Sequence, residues 1–151
     1  NDSDITHIKQ LKGQSFAFGS YHSYSGHYIV RQLLRLQNIY LRDLQFYSFL
    51  GRHERAIMSV VHRDFDAAAT TEGMAQRFIE LDYPIKIIAT SELLAPTVIV
   101  ARSAIDPELI DQLRETLLFS QTNQSLTGLT FFEVDDQDFK EVENILHTIE
   151  Y

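Results

Sequence analysis

Ser15-Phe16-Ala17-Phe18-Gly19, then Ser20-Tyr21-His22-Ser23-Tyr24-Ser25-Gly26, then His27-Tyr28-Ile29-Val30, is the stretch that decides the fold class. The first five residues read as a short buried strand that stops at glycine, set off by the polar turn Lys12-Gly13-Gln14. The next seven are Ser, Tyr, His and Gly, which is loop composition. A helix is expected from about Ser25 to Gln37, because Ile29, Val30, Leu33 and Leu34 fall at i, i+1, i+4 and i+5 and make one face. A strand handed to a helix through a polar loop is the repeating unit of an α/β fold.

The same alternation continues outward. Leu44 to Leu50 reads as a strand broken by Gly51. His53 to Arg63 reads as a helix with Ala56, Ile57, Val60 and Val61 on one side. Phe65 to Thr70 is a short strand, and Thr71 to Glu80 a helix with Met74 and Phe78 inward. Pro84 to Thr90 and Thr97 to Ala101 read as two more strands. Asp106-Pro107-Glu108 is a strong helix start: Asp caps free amides, Pro suits the first helical position, and Glu favours the positive end of the dipole. That helix runs to about Phe119 through Leu109, Ile110, Leu113 and Leu117. Ser120 to Gly128 reads as loop and Thr130 to Glu133 as a short extended piece. The last helix, about Gln137 to Glu150, is expected to bury Phe139, Val142, Leu146 and Ile149. The class is therefore α/β, with a mostly parallel sheet flanked by helices.

The 151 residues allow a real core, and 44% hydrophobic with 23% charged residues is ordinary for a globular domain. Apolar runs are only a few residues long, such as Val98-Ile99-Val100-Ala101, so none spans a membrane. Thirteen basic against 21 acidic residues give a formal charge of −8 and no footprint for nucleic acid. With no cysteine there is neither a disulfide nor a thiolate metal site. Asn1-Asp2-Ser3-Asp4 is polar and acidic rather than basic then apolar, so the chain reads as a mature segment or a cytosolic one.

In open α/β sheets, ligands sit beyond the carboxyl ends of the strands, often at helix N-termini. The loop from Ser20 to Gly26 is in that place. Ser23 and Ser25 put two hydroxyls beside the first free amides of a helix, which suits an oxyanion. Spacing alone leaves plain N-capping by Ser23 or Ser25 as the simpler account. His53 opens the next helix at the same end of the sheet and has donors for an anion, although alone it reads more simply as a helix-start histidine facing water. The pairs His22/His27 and His53/His62 match no metal-binding spacing, and no metal or cofactor is called for. Ser25, His53 and Asp66 contain the residue types of a hydrolytic triad, but no G-x-S-x-G elbow is present. Glu133-Val134-Asp135-Asp136-Gln137-Asp138 lacks the glycine and spacing of a calcium loop and reads as an acidic helix start.

Five segments, in order, make the chain resemble the periplasmic phosphonate-binding proteins, the solute-binding components of phosphate/phosphite/phosphonate ABC transporters. Leu11-Lys12-Gly13-Gln14-Ser15-Phe16-Ala17-Phe18 with Ser23-Tyr24-Ser25-Gly26 is similar to the family's L-K-G-K-x-x-A-F strand and S-T-S-G anion loop. Gly51-Arg52-His53-Glu54-Arg55-Ala56 is similar to G-S-H-x-x-A, and Asp66-Ala67-Ala68-Ala69 to V-D-A-A-A. Val98-Ile99-Val100-Ala101-Arg102 with Asp106-Pro107-Glu108-Leu109 is similar to W-V-V-R-x-x-L-D-P-E-L, and Asp135-Asp136-Gln137-Asp138-Phe139 to the closing D-D-S-D-Y.

The resemblance implies a two-lobed type II periplasmic binding fold gripping its ligand between the lobes. Residues 1–100 would form the second lobe and 101–151 a segment returning to the first lobe, whose N-terminal part is absent from this chain. Ser23, Tyr24, Ser25 and the amide of Gly26 would hold anion oxygens, with His53 as a further donor. The middle Thr of S-T-S-G is Tyr24 here, which removes a small hydroxyl and adds bulk. Gly73 and Thr97 stand where the family's acids grip an aminophosphonate's ammonium, with Glu72 one residue away. An anion without an amino group, or a ligand outside the family's usual set, is therefore expected. The implied protein is a periplasmic or extracytoplasmic binding protein and not an enzyme. Its partners are a small oxyanion and a permease, with no nucleic acid and the membrane reached only through that partner. The alternative is the sensor domain of a membrane receptor such as a histidine kinase, partnered by its signalling module.

Overall fold

The computed structural model of the chain describes residues 4–92, 97–119 and 131–149. Its sheet consists of β1 (Ser15–Phe18), β2 (Phe46–Phe49) and β3 (Ala67–Ala68), all parallel, in the order β2-β1-β3. Ser15 lies opposite Phe46 and Phe18 opposite Phe49, while Phe16 and Ala17 face Ala67 and Ala68 on the other side. The helices are α1 (Ile29–Leu36), α2 (His53–Val61), α3 (Glu72–Glu80), α4 (Pro107–Phe119) and α5 (Lys140–Ile149). This is the expected α/β parallel-sheet architecture.

β1 is the middle strand, and all four of its residues are buried, as a parallel strand covered on both faces must be. Phe16 and Phe18 pack with Leu11, Leu34, Ile39, Leu44, Ala67 and Ala69. Ala17, between them, faces the other side of the sheet. Phe18 has rings on several sides, with Phe16 at 4.7 Å and Phe49 at 5.2 Å. Each such phenylalanine contributes roughly 1.5–3 kcal/mol by burial. At the start of the strand, Asp66 Oδ2 accepts from the Ser15 amide at 2.8 Å and from its hydroxyl at 2.6 Å. The Asp66 amide in turn donates to Ser15 Oγ at 2.9 Å. This reciprocal clamp fixes the β1–β3 register.

Three helices end in the same way. Asn38, Arg63 and Asp82, just past α1, α2 and α3, have φ of 57°, 66° and 61°. The amides of these residues and the ones after them bond back to carbonyls in the last turn, as in Ile39 to Leu34, Asp64 to Ser59 and Tyr83 to Phe78. That is the Schellman arrangement, which satisfies carbonyls the helix cannot.

The chain divides into two compact units, Asn1–Leu93 with Val142–Tyr151, and Leu94–Glu141. In the first, α5 buries Ile145 and Ile149 while Val142 and Leu146 stay half-buried. Arg31 and Arg35 donate to the carbonyls of Ile149 and Thr148 at the end of α5, where cations meet the negative end of the helix. In the second, Asp106 Oδ1 accepts from the Glu108 amide at 3.0 Å, the cap expected ahead of Pro107. Ile110 and Leu117 of α4 are half-buried, and Leu109 and Leu113 are exposed.

Several elements differ from the sequence reading. Pro84 to Thr90 and Thr97 to Ala101 are not strands: neither joins the β2-β1-β3 sheet, and an apolar pattern outside a ladder is not a strand. Leu44 to Leu50 contracts to β2 and Phe65 to Thr70 to β3, because pairing with four-residue β1 limits both. The helix expected from Ser25 begins as a π turn, Tyr24–Tyr28, before α1. The last helix is a 3-10 turn, Asp136–Phe139, leading into α5. The loop Ser120 to Gly128, Thr130 and Glu150 lie outside the described residues, and 131–133 are irregular.

Candidate functional site

The order β2-β1-β3 sends successive crossovers to opposite sides of β1, so a crevice is expected beyond its carboxyl end. The ladder runs past the strands: the Leu50 amide donates to the Phe18 carbonyl and the Gly51 amide to the Gly19 carbonyl, both at 3.0 Å. The turn before α2 thus starts beside the loop after β1. Gly51 has φ of 82°, a left-handed conformation that side chains resist, and it turns the chain so that His53 returns over Gly19.

The Gly19 amide donates to the Gly26 carbonyl at 2.9 Å, closing the loop 20–25 between two glycines. A Cβ placed on Gly26 would lie 3.0 Å from Ser23 Oγ, 3.1 Å from Gly19 Cα and 3.1 Å from His53 Cε1. A side chain here would force these neighbours to give by a few tenths of an ångström.

Ser23 has extended backbone and caps the π turn, its Oγ accepting from the Gly26 amide at 2.9 Å. Capping is therefore real, but a hydroxyl that accepts one bond still has its own proton to donate. The Gly26 amide, read from the sequence as an anion donor, is given to Ser23. Ser25 Oγ lies 3.5 Å from His53 Nε2, at the outer limit of a hydrogen bond. His53 Nδ1 is buried with no partner among the described residues. A buried lone pair is tolerated better than a buried orphan N–H, which assigns the proton of the neutral ring to Nε2, on the Ser25 side.

Ser23, Ser25, Gly26 and His53 are thus brought together, with half-buried Tyr24 among them. Glu72 is exposed on the first turn of α3, whose cap is Thr71. Thr97 is exposed and belongs to the other compact unit. Asp66 is held by Ser15 at the opposite end of β1, about 13 Å of strand away from Gly19, so Ser25, His53 and Asp66 do not assemble as a triad. Among the described residues no group of three or more His, Cys, Asp or Glu is placed to hold a metal.

Sequence reasoning weighed His27 only as half of a metal pair and missed its burial. It is 1% exposed, and its Nδ1 donates to the Tyr21 carbonyl at 2.6 Å. Its ring is packed by Phe49 at 4.6 Å, Tyr28 at 4.7 Å, Tyr21 at 5.2 Å and Phe18 at 5.4 Å. Burial holds its imidazole below the ordinary value of 6.5. The Tyr21 carbonyl opposes that shift, and Arg31 and His22 add to it. The available signal was its spacing: His27, Val30 and Leu34 share a face at i, i+3 and i+7.

The family model for the periplasmic substrate-binding protein of phosphonate ABC transporters matches residues 1–144, so the chain belongs to that family. The family is that of a transporter component, which does not favour the receptor alternative. Among solved structures, the chain is similar to PhnD1 from Prochlorococcus marinus (MIT 9301), determined in complex with methylphosphonate. The two share 19% identity with a TM-score of 0.78, over 98% of this chain and 61% of that one. The likeness is one of fold, the type II periplasmic binding fold, and the chain spans 61% of its neighbour's length. No protein of curated function matches the chain. No described helix is long and apolar enough to cross a membrane.

Proposed function

We propose that the chain supplies the oxyanion seat of an extracytoplasmic solute-binding protein, which captures a small phosphonate- or phosphate-like ligand and hands it unchanged to the permease of an ABC transporter. The carrying observation is the convergence of Ser23, Ser25 and His53 at the start of a helical run beyond the carboxyl end of β1. The Ser23 and Ser25 hydroxyls and His53 Nε2–H donate to ligand oxygens, and the helix start adds partial positive charge. Each hydrogen bond to a charged acceptor is worth about 1.5–3 kcal/mol. Tyr24 narrows the seat where a small hydroxyl would widen it.

In this reading, residues 1–100 act as the second lobe, the segment from 101 runs toward the first before residues 142–151 pack again with residues 1–93, and lobe closure excludes water around the ligand. Uncharged Gly73 and Thr97 stand where the family's acids grip an ammonium, which favours a ligand without one, since a buried ammonium needs a carboxylate partner. The protein works in the periplasm.

A thermal-shift series on the complete protein tests the reading. Methylphosphonate and inorganic phosphate raise the melting temperature, and aminoethylphosphonate raises it less. No shift with any of the three removes the oxyanion assignment. A larger shift with aminoethylphosphonate gives Glu72 or another acid the ammonium.

A further inference from the structure

We propose that His27 is the positioning residue of the oxyanion seat: a buried latch whose Nδ1–H holds the Tyr21 carbonyl, sets the loop that carries Ser23 and Ser25, and lets go in acid. The proposal rests on the oxyanion reading above.

The ends of the loop are tied by the Gly19–Gly26 bond, and within it the Ser23 amide reaches the Ser20 carbonyl at 3.0 Å. The Tyr21 side chain is 55% exposed, and its ring meets Phe49 of β2 edge-on at 5.1 Å, an apolar contact beside the hydrogen bond. The bond from His27 at 2.6 Å joins the apex of the loop to the helical run, two residues before Ser23. The ring that makes it is immobilised by Phe18 of β1 and Phe49 of β2 as well as by Tyr21 and Tyr28, so the latch is fixed to the sheet.

The other ring nitrogen makes the latch sensitive to acid. Nε2 is buried and has no partner among the described residues. The Nδ1 bond itself would survive protonation, but a second N–H on a cationic ring, aimed into aromatic surroundings, has no acceptor. The charged ring must reach water, and leaving the pocket breaks its hold on Tyr21. The titratable and charged groups facing it are Tyr21 and His22 from the loop and Tyr28 and Arg31 from the helical run. β1 and β2 present only Phe18 and Phe49. None of these is a carboxylate, and Arg31 and His22 oppose a further positive charge.

The test is calorimetric titration of methylphosphonate into the complete protein and two variants, at about pH 8 and about pH 5.5, either side of the ordinary histidine range. His27→Asn keeps an N–H near the Nδ1 position and cannot titrate; His27→Phe fills the volume and has no donor. At the higher pH, Asn should bind within about threefold of the parent and Phe about tenfold more weakly, the worth of one positioning hydrogen bond. Between the two values, the parent should lose more affinity than Asn. Ionisation of the ligand is common to both and cancels. A Phe variant that binds like the parent, or equal pH dependence in parent and Asn, overturns the latch. Amide hydrogen exchange of residues 20–26 without ligand reads the latch separately: faster exchange in Phe than in Asn supports it, and equal exchange overturns it. Should the parent bind no methylphosphonate at either pH, the oxyanion reading fails while the exchange result still judges the latch. Should Phe fail to fold, the comparison of parent with Asn decides.

Discussion

The amide of Gly19 donates to the carbonyl of Gly26 at 2.9 Å, so the residue that leaves β1 is bonded to one in the first turn of the helical run that follows. Gly26→Ala would set a Cβ 3.1 Å from Gly19 Cα, a backbone atom that would have to give by a few tenths of an ångström, and 3.0 Å from Ser23 Oγ. The expected cost is about 1–3 kcal/mol of stability. It should be accompanied by weaker oxyanion binding, because Ser23 and His53 are both displaced. Denaturant unfolding and calorimetry check the two effects.

Ser23→Ala with Ser25→Ala should weaken binding of the oxyanion probe by roughly 1–3 kcal/mol, through loss of hydrogen bonds to a charged acceptor. Ser23 also caps the π turn, so the single Ser25→Ala variant is the cleaner reading of ligand contact. Unchanged affinity in the double variant would move the seat elsewhere.

Asp66→Ala should lower stability by about 1–3 kcal/mol, since it leaves the amide and hydroxyl of buried Ser15 without their acceptor. Affinity for the oxyanion should hold, because this clamp is at the far end of β1. A variant of full stability with lost binding would contradict the placement of Asp66.

Stability should fall as pH drops below about 6.5. Burial depresses the His27 pKa in the folded chain, whereas the unfolded chain takes up its proton near the ordinary value of 6.5. The unfolded state therefore binds more protons between those two values, and stability present above 6.5 is lost as pH falls through the folded value. His27→Asn should flatten that part of the curve, measured by denaturant midpoints across the range.

Arg63→Gly should raise stability by about 0.5–1 kcal/mol. Arg63 holds a φ of 66° at the end of α2, where glycine avoids the Cβ clash and the capping bonds are made by backbone alone. A lower unfolding midpoint would mean that the arginine side chain has a contact worth more than the strain.

β1 and α1 were legible because their apolar residues are contiguous or share a helical face, and such patterns report burial directly. Ser23, Ser25 and His53 were legible by position, since loops after parallel strands converge at one end of a sheet. Pro84 to Thr90 reads equally well as a strand, yet a strand exists only with a partner, and pairing is not written in one segment. The burial of His27 escaped notice because a polar residue is discounted when an apolar face is counted, though it sits in register with Val30 and Leu34. Glu72 and Thr97 carry no local signal; only the family's pattern singled them out. The wide π turn, which needs Ser23, Gly26 and Gly19 to cooperate, is a tertiary event with no periodicity of its own.

Phe18 is a neighbour in sequence of Gly19, and its carbonyl is bonded to the amide of Leu50, one residue before the turn that aims His53. Interior and seat are consecutive links of one backbone. Genetic selection for lost capture would therefore return collapsed proteins alongside intact ones with a spoiled seat. Measuring abundance next to binding is what would tell the two kinds of casualty apart.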